Sequence, residues 1–201
     1  MGVSAIVLAG GLSRRLGRDK ALEPFEGEPL IQRVIGRLSR FTDETVVVVN
    51  SEARGKELPL PHDAVIAVDI FPDSGSLGGI FTGLTAARNE WGFVVACDMP
   101  FLNTDLILHM LALRSDYDAV VPLLNGYPEP THAVYSSACL PDIQRRLEAR
   151  ELKIAGFFDD VRVRTLSEVE VDDLDPERLS FFNVNTPEDL ARAVTLAEEG
   201  R

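Results

Sequence analysis

The chain has 201 residues, 45% of them hydrophobic and 26% charged, with a formal net charge of −12. That size and balance suit one folded domain spanning 1–201. No apolar run approaches the ~18 residues of a membrane span, and no secretion signal precedes the first element, so a cytoplasmic protein is expected. The acidic balance argues against a general nucleic-acid binder. Cys97 and Cys139 lie too far apart for a metal motif, and His62, His109 and His132 show no paired spacing, so reduced thiols and no zinc site are expected.

Val3 to Leu8 has the length and bounding of a buried strand. It runs into Gly10-Gly11, where missing side chains let a ligand approach the backbone. Arg14, Arg15, Arg18 and Lys20 follow, with Asp19 the only acid among them. Backbone N–H groups in such a turn form an anion-binding concavity, and four cations supply charge for several phosphates. The spacing is neither the P-loop nor the dinucleotide glycine pattern. Leu8, Gly10, Gly11, Ser13, Arg15, Gly17, Asp19 and Lys20 together resemble the signature of nucleotidyltransferases that activate phosphorylated small molecules with a nucleoside triphosphate.

Helical and strand signals then alternate. Pro29 to Arg40 is predicted as a helix, Thr45 to Val49 and Val65 to Val68 as strands, with 51–64 a surface connection between them. Gly78 to Arg88 is a predicted helix, Phe93 to Ala96 a strand, and Thr104 to Leu113 a helix capped by Thr104. Strands at Ala119 to Pro122 and Ala133 to Tyr135, a helix at Ala138 to Arg150, a strand at Val161 to Leu166 and a closing helix at Glu188 to Glu199 complete the order. Six of the ten residues from Glu168 to Glu177 are acidic, which reads as a solvated loop. Continuous apolar strands between helices imply a three-layer, doubly wound α/β fold with a mostly parallel sheet.

Ligands in such folds bind outside the carboxyl ends of the strands. Gly10, Asn50, Asp69 and Asp98 each lie just past a predicted strand end, on one edge of the sheet. A strand-end carboxylate facing a triphosphate suits Mg²⁺, so Asp98 is the expected metal ligand. Asp69 suits a ribose hydroxyl, a base edge or the metal through water, or else simply makes a turn. Asn50 is equally a ligand group and a turn former. The stretch Ser74-Gly75-Ser76-Leu77-Gly78-Gly79 reads as a ligand-contacting loop before a helix. Asn183 and Asn185 alternate in an extended segment and so share a face. His132 reads as structural rather than as a base.

These segments together resemble the molybdenum cofactor guanylyltransferases, a MobA-like nucleotidyltransferase family, over nearly the whole chain. The resemblance runs from Leu8-Ala-Gly-Gly through Ser76-Leu-Gly-Gly and Cys97-Asp-Met-Pro-Phe to Phe182-Asn-Val-Asn-Thr-Pro-Glu-Asp-Leu190. It implies a Rossmann-like nucleotidyltransferase fold and GMP transfer from GTP to the phosphate of molybdopterin, with Mg²⁺ as cofactor. Leu8, Ala9, Gly10, Gly11, Lys20, Asn50, Asp69 and Asp98 would then contact GTP. Arg15, Lys20 and Asp98 would carry catalysis, Asp98 holding the metal. Gly79, Asn183 and Asn185 would lie on the molybdopterin side. Partners in cofactor biosynthesis or molybdoenzyme maturation are implied too. Two segments depart from the family pattern, Ser74-Gly75-Ser76-Leu77 and Glu129-Pro130-Thr131; neither removes a charged group. Rival readings are a cytidylyltransferase for the same cofactor, a nucleotidyltransferase with another phosphorylated acceptor, and a nucleotide-binding module without turnover. Gly10 speaks for guanine over cytosine, and Lys20 with Asp98 for catalysis.

Overall fold

The computed structural model describes residues 2–11 and 19–200. The central sheet is built from β1 (Val3–Leu8), β4 (Glu44–Val49), β5 (Val65–Val68), β6 (Trp91–Ala96), β7 (Ala119–Leu124), β9 (His132–Ser136) and β10 (Val163–Leu166). Two-residue strands β2 (Pro24–Phe25) and β3 (Glu28–Pro29) form a separate hairpin, and β8 (Tyr127–Pro128) pairs with β7. The order across the sheet is β10-β7-β9-β6-β1-β4-β5. β1 pairs in parallel with both β4 and β6, and β4 with β5. β9 runs antiparallel to β6 and β7, which makes the sheet mixed but mostly parallel, as expected.

The central strands show no polar alternation because helices cover both faces. Successive side chains still point to opposite sides. Val3, Ala5 and Val7 of β1 join one buried cluster with Val47, Val49, Phe93 and Val95. Ile6 joins the other with Val46, Val48 and Val94. Helices α1 (Leu30–Leu38), α4 (Thr104–Ala112) and α6 (Glu168–Leu174) close the first face. Helices α3 (Gly75–Ala86) and α5 (Leu140–Glu148) close the second. The short α2 (Glu52–Glu57) follows β4, and α7 (Pro187–Glu198) packs through Ala193 against Phe25, Phe101 and Val184.

Four local expectations are corrected. The 51–64 connection contains α2, whose N-cap Ser51 accepts from the Arg54 N–H at 3.2 Å. The cap of α4 is Asn103, not Thr104; its Oδ1 accepts from Leu106 N at 3.0 Å. Helix α3 begins three residues earlier than predicted, so Gly75 to Gly79 are helical rather than a preceding loop.

The acidic stretch is also not a solvated loop. Ser167 and Glu170 form a reciprocal capping box at the start of α6, and Glu168 and Glu170 occupy its positive end. Arg178 pairs with Asp172 at 2.6 Å and with Glu168 at 3.0 Å, which holds Asp172 below the usual carboxylate range. Asp175 is buried and accepts the N–H groups of Leu179 and Ser180. The charges that suggested a loop are thus spent on caps and ion pairs.

Candidate active site

Gly10, Asn50 and Asp69 line one cleft at the strand ends, and Asp98 lines a smaller chamber that shares Leu8, Gly11 and Ser76 with it. Beyond β1, Ala9 N donates to Val48 O at 2.8 Å and Cys97 N donates to Leu8 O at 3.2 Å, so the three strand ends stay in register up to the ligand edge. A cleft of about 550 Å³ opens there, lined by Leu8, Gly10, Gly11, Asn50, Asp69 and Gly79 among others. A Cβ on Gly10 would stand 3.3 Å from Asn50 N; glycine at this position lets the loops after β1 and β4 meet beside the cleft.

Asp69 serves in two capacities. Its Oδ1 accepts from Phe71 N and from the Thr82 hydroxyl, each at 3.0 Å, which ties the loop after β5 to α3. The same carboxylate lines the cleft. Gly79 falls in the wall of this cleft, beside Gly10 and Asp69, rather than apart from it on an acceptor side. A Cβ there would come within 3.0 Å of Leu8 Cδ2.

A smaller chamber of about 180 Å³ adjoins the cleft, lined by Ala9, Gly11, Asp19, Lys20, Arg54, Ser76 and Asp98 among others. Asp19 caps the turn that carries Lys20, its Oδ1 accepting from Ala21 N at 3.1 Å. Lys20 Nζ donates to Asp98 Oδ2 at 3.0 Å and also to Asn185 Oδ1. Asp98 is itself fixed through its backbone carbonyl, which accepts from Val184 N at 2.9 Å.

The Asp98 side chain is only 12% exposed, and its Oδ1 is buried with no hydrogen-bond partner among the described residues. A buried carboxylate oxygen left unpaired is costly, and a hard divalent cation is the partner its chemistry suits. Among the described residues, no group of three or more His, Cys, Asp or Glu gathers to hold a metal. A cation at Asp98 would therefore complete its shell with substrate oxygens and water. Arg15 lies outside the described residues.

The segment from Phe181 to Thr186 crosses the end of β6 and brings Asn185 into this charged centre. The two asparagines behave differently there. Asn185 accepts from Lys20, whereas Asn183 Nδ2 donates back to Phe181 O at 3.0 Å. His132 supports the segment from below. It is fully buried between Phe93 and Phe181, with ring centroids 5.1 and 4.8 Å away, and neither nitrogen has a hydrogen-bond partner among the described residues. Burial drops its pKa to about 3, so it is neutral and structural. Burial, reinforced by Asp98, pushes the Cys97 thiol up to about 12, which removes it as a nucleophile.

Sequence reasoning missed Arg54, whereas Ser76 belongs to the stretch expected to contact a ligand and does line the site. Arg54 is carried by α2, and the Ser51 cap was the signal that could have found it. Ser76, in the first turn of α3, is shared by the cleft, the chamber and a third hollow of about 570 Å³. That hollow is lined by Asp73, Ser74, Gly75, Tyr127, Pro130 and Lys153 among others.

Comparison with known proteins agrees with this geometry. A family model described as the MobA-like NTP transferase domain matches residues 5–161. The chain is 39% identical to a molybdenum cofactor guanylyltransferase of Desulfosudis oleivorans, over 99% of this chain and 98% of that protein. A crystal structure of molybdopterin-guanine dinucleotide biosynthesis protein A from Archaeoglobus fulgidus superposes with a TM-score of 0.84. It is 30% identical and covers 98% of this chain and 99% of that one. The fold also matches 2-C-methyl-D-erythritol 4-phosphate cytidylyltransferase from Thermus thermophilus, with a TM-score of 0.71 over 98% of this chain and 100% of that one, at 18% identity.

Proposed function

The chain belongs to the molybdenum cofactor guanylyltransferases of the MobA-like NTP transferase family, and on that premise we propose that it transfers GMP from GTP to the phosphate of molybdopterin, releasing pyrophosphate. The observation that carries this reading is the Lys20 ammonium held between Asp98 Oδ2 and Asn185 Oδ1, with Asp98 Oδ1 buried beside it and unpaired among the described residues.

Guanosine would occupy the cleft at the strand ends, its base and ribose against Gly10, Asn50 and Asp69, and its triphosphate would enter the chamber over the backbone of Ala9 and Gly11. An oxygen of the molybdopterin phosphate attacks the α-phosphorus, and the bond to the bridging oxygen breaks with its electron pair leaving on pyrophosphate. Such transfers depend on positioning and charge neutralisation more than on covalent help. Lys20 and Arg15 supply positive charge for the leaving group. Mg²⁺, held by Asp98, would neutralise phosphate charge when bound. The acceptor phosphate is already an anion near neutral pH, so no general base is needed.

Asn185, meeting Lys20 at the chamber, would place the acceptor phosphate, with Asn183 beside it. The third hollow, reached past Ser76 and edged by Lys153, gives the rest of the acceptor a surface. The whole span 1–201 acts as one nucleotidyltransferase domain in the cytoplasm. Proteins of cofactor biosynthesis or molybdoenzyme maturation would deliver and collect the cofactor. The test is pyrophosphate release with Mg²⁺, GTP and molybdopterin. Release requiring all three supports the proposal, and none from folded protein contradicts it.

A further inference from the structure

Arg54 enters the phosphate chamber from α2, outside every motif that identified the site. Its side chain is 13% exposed. One terminal nitrogen donates to Asp19 Oδ1 at 2.6 Å and the other pairs with Asp19 Oδ2, a two-pronged contact; Glu57 lies 3.7 Å away. A guanidinium has five N–H donors, and an end-on carboxylate pair uses two. Among the described residues, the Nε–H and the outer hydrogen of the nitrogen that donates to Oδ1 have no partner, while the other terminal nitrogen also faces Glu57.

The anchor matters as much as the charge. Asp19 immediately precedes Lys20 and caps its turn, so one carboxylate fixes Lys20 and Arg54, the two chamber cations among the described residues, relative to each other. The Ser51 cap of helix α2 directly follows Asn50 and accepts from Arg54 N, so one short segment joins the nucleoside cleft to the chamber. A surface arginine would gain nothing from this arrangement. A preorganised arginine facing an anion would, because its side-chain entropy is spent before the ligand arrives.

We propose that Arg54 is a further substrate-binding cation, holding the β,γ-diphosphate of the nucleoside triphosphate and the pyrophosphate it becomes. This rests on the reading of the chamber as the triphosphate site. As the bond from the α-phosphorus breaks, the electron pair passes to the pyrophosphate oxygen, and the remaining Arg54 donors face the charge that develops there.

The experiment titrates inorganic pyrophosphate and, separately, GMP into wild type, Arg54→Ala, Arg54→Lys and Arg145→Ala, all with Mg²⁺, by calorimetry. Arg54→Ala is expected to weaken pyrophosphate at least about tenfold, the loss of one charge-assisted contact, while GMP changes by less than about twofold. Arg54→Lys should recover part of the loss, and Arg145→Ala, on the distant face of α5, should match wild type. Equal weakening of pyrophosphate and GMP would reduce Arg54 to a scaffold for Asp19 and overturn the proposal, as would unchanged pyrophosphate affinity. If Arg54→Ala does not fold, Arg54→Gln and Arg54→Lys carry the same comparison. Wild type that binds no pyrophosphate overturns both readings of the chamber. Wild type that binds pyrophosphate through Arg54 but forms no dinucleotide removes the guanylyltransferase reading and leaves the Arg54 assignment standing.

Discussion

At Asp98 the two carboxylate oxygens have different surroundings: Oδ2 receives the Lys20 ammonium, and Oδ1 is buried without a partner among the described residues. Asp98→Asn is expected to lose Mg²⁺-dependent transfer by more than about 100-fold, since a neutral amide weakens a hard-cation site. A thermal melt should show the variant folded; near-normal turnover would remove the metal assignment. Lys20→Ala should likewise cost about 10²-fold or more in turnover. It also strips a partner from Asn185, so the effect should appear with the acceptor as well as with GTP. His132 gives a separate, pH-dependent prediction. Its folded pKa of about 3 lies below its ordinary 6.5, so the unfolded chain binds the proton first. Its stability contribution is complete above 6.5 and is lost as pH falls toward 3, by up to about 1.4 kcal/mol per pH unit. The depressed carboxylates of Asp118, Asp160 and Asp172 lose theirs only from their ordinary 3.8 downward. Melts between pH 6.5 and about 4.5 should therefore slope downward in wild type and flatten in His132→Phe. Equal slopes would mean that the histidine is not buried neutral.

At the scale of elements, the strands were legible because each central strand is a continuous apolar run, and a parallel sheet covered on both faces permits no other pattern. Helix α3 was legible only from Gly78 onward. Its sequence, GSLGGIFTGLTA, has poor helix propensity, and it folds as a helix because it lies very close against β1. Gly83 shows the competition. Propensity predicts that Gly83→Ala stabilises by about 1 kcal/mol. The structure places the new Cβ 2.2 Å from Ile6 Cγ2, an overlap that should destabilise by about 1–3 kcal/mol. Packing should win, and a lower urea midpoint would show it; a higher one would contradict the close approach. Helices α2 and α6 escaped the reading for another reason. Their charges look solvated until the capping serines and the arginine partners are seen in space, and Arg178 pairs with acids six and ten residues back. Arg54 was hidden with α2. Asn185 was visible, but its bond to Lys20 spans a sequence separation no local pattern reveals.

At the scale of the whole molecule, the sheet order puts β1 between β4 and β6, so the three loops that bear Gly10, Asn50 and Asp98 leave the same edge side by side. The C-terminal segment then returns to that edge and sets Asn185 on Lys20. Under the proposed function, nucleotide and acceptor would meet at this one charged centre, and the cleft beside it would decide the base. The fold is shared with a cytidylyltransferase at low identity, so the base must be read from the cleft and not from the fold. A site that hydrogen-bonds its base rejects the wrong one because buried groups are left unpaired. The most direct measurement supplies equal GTP, ATP, CTP and UTP with molybdopterin and Mg²⁺ and identifies the dinucleotide formed by mass. The account predicts the guanine dinucleotide as the dominant product, with matching pyrophosphate release. A cytosine dinucleotide in excess, or pyrophosphate release that ignores molybdopterin, would contradict it.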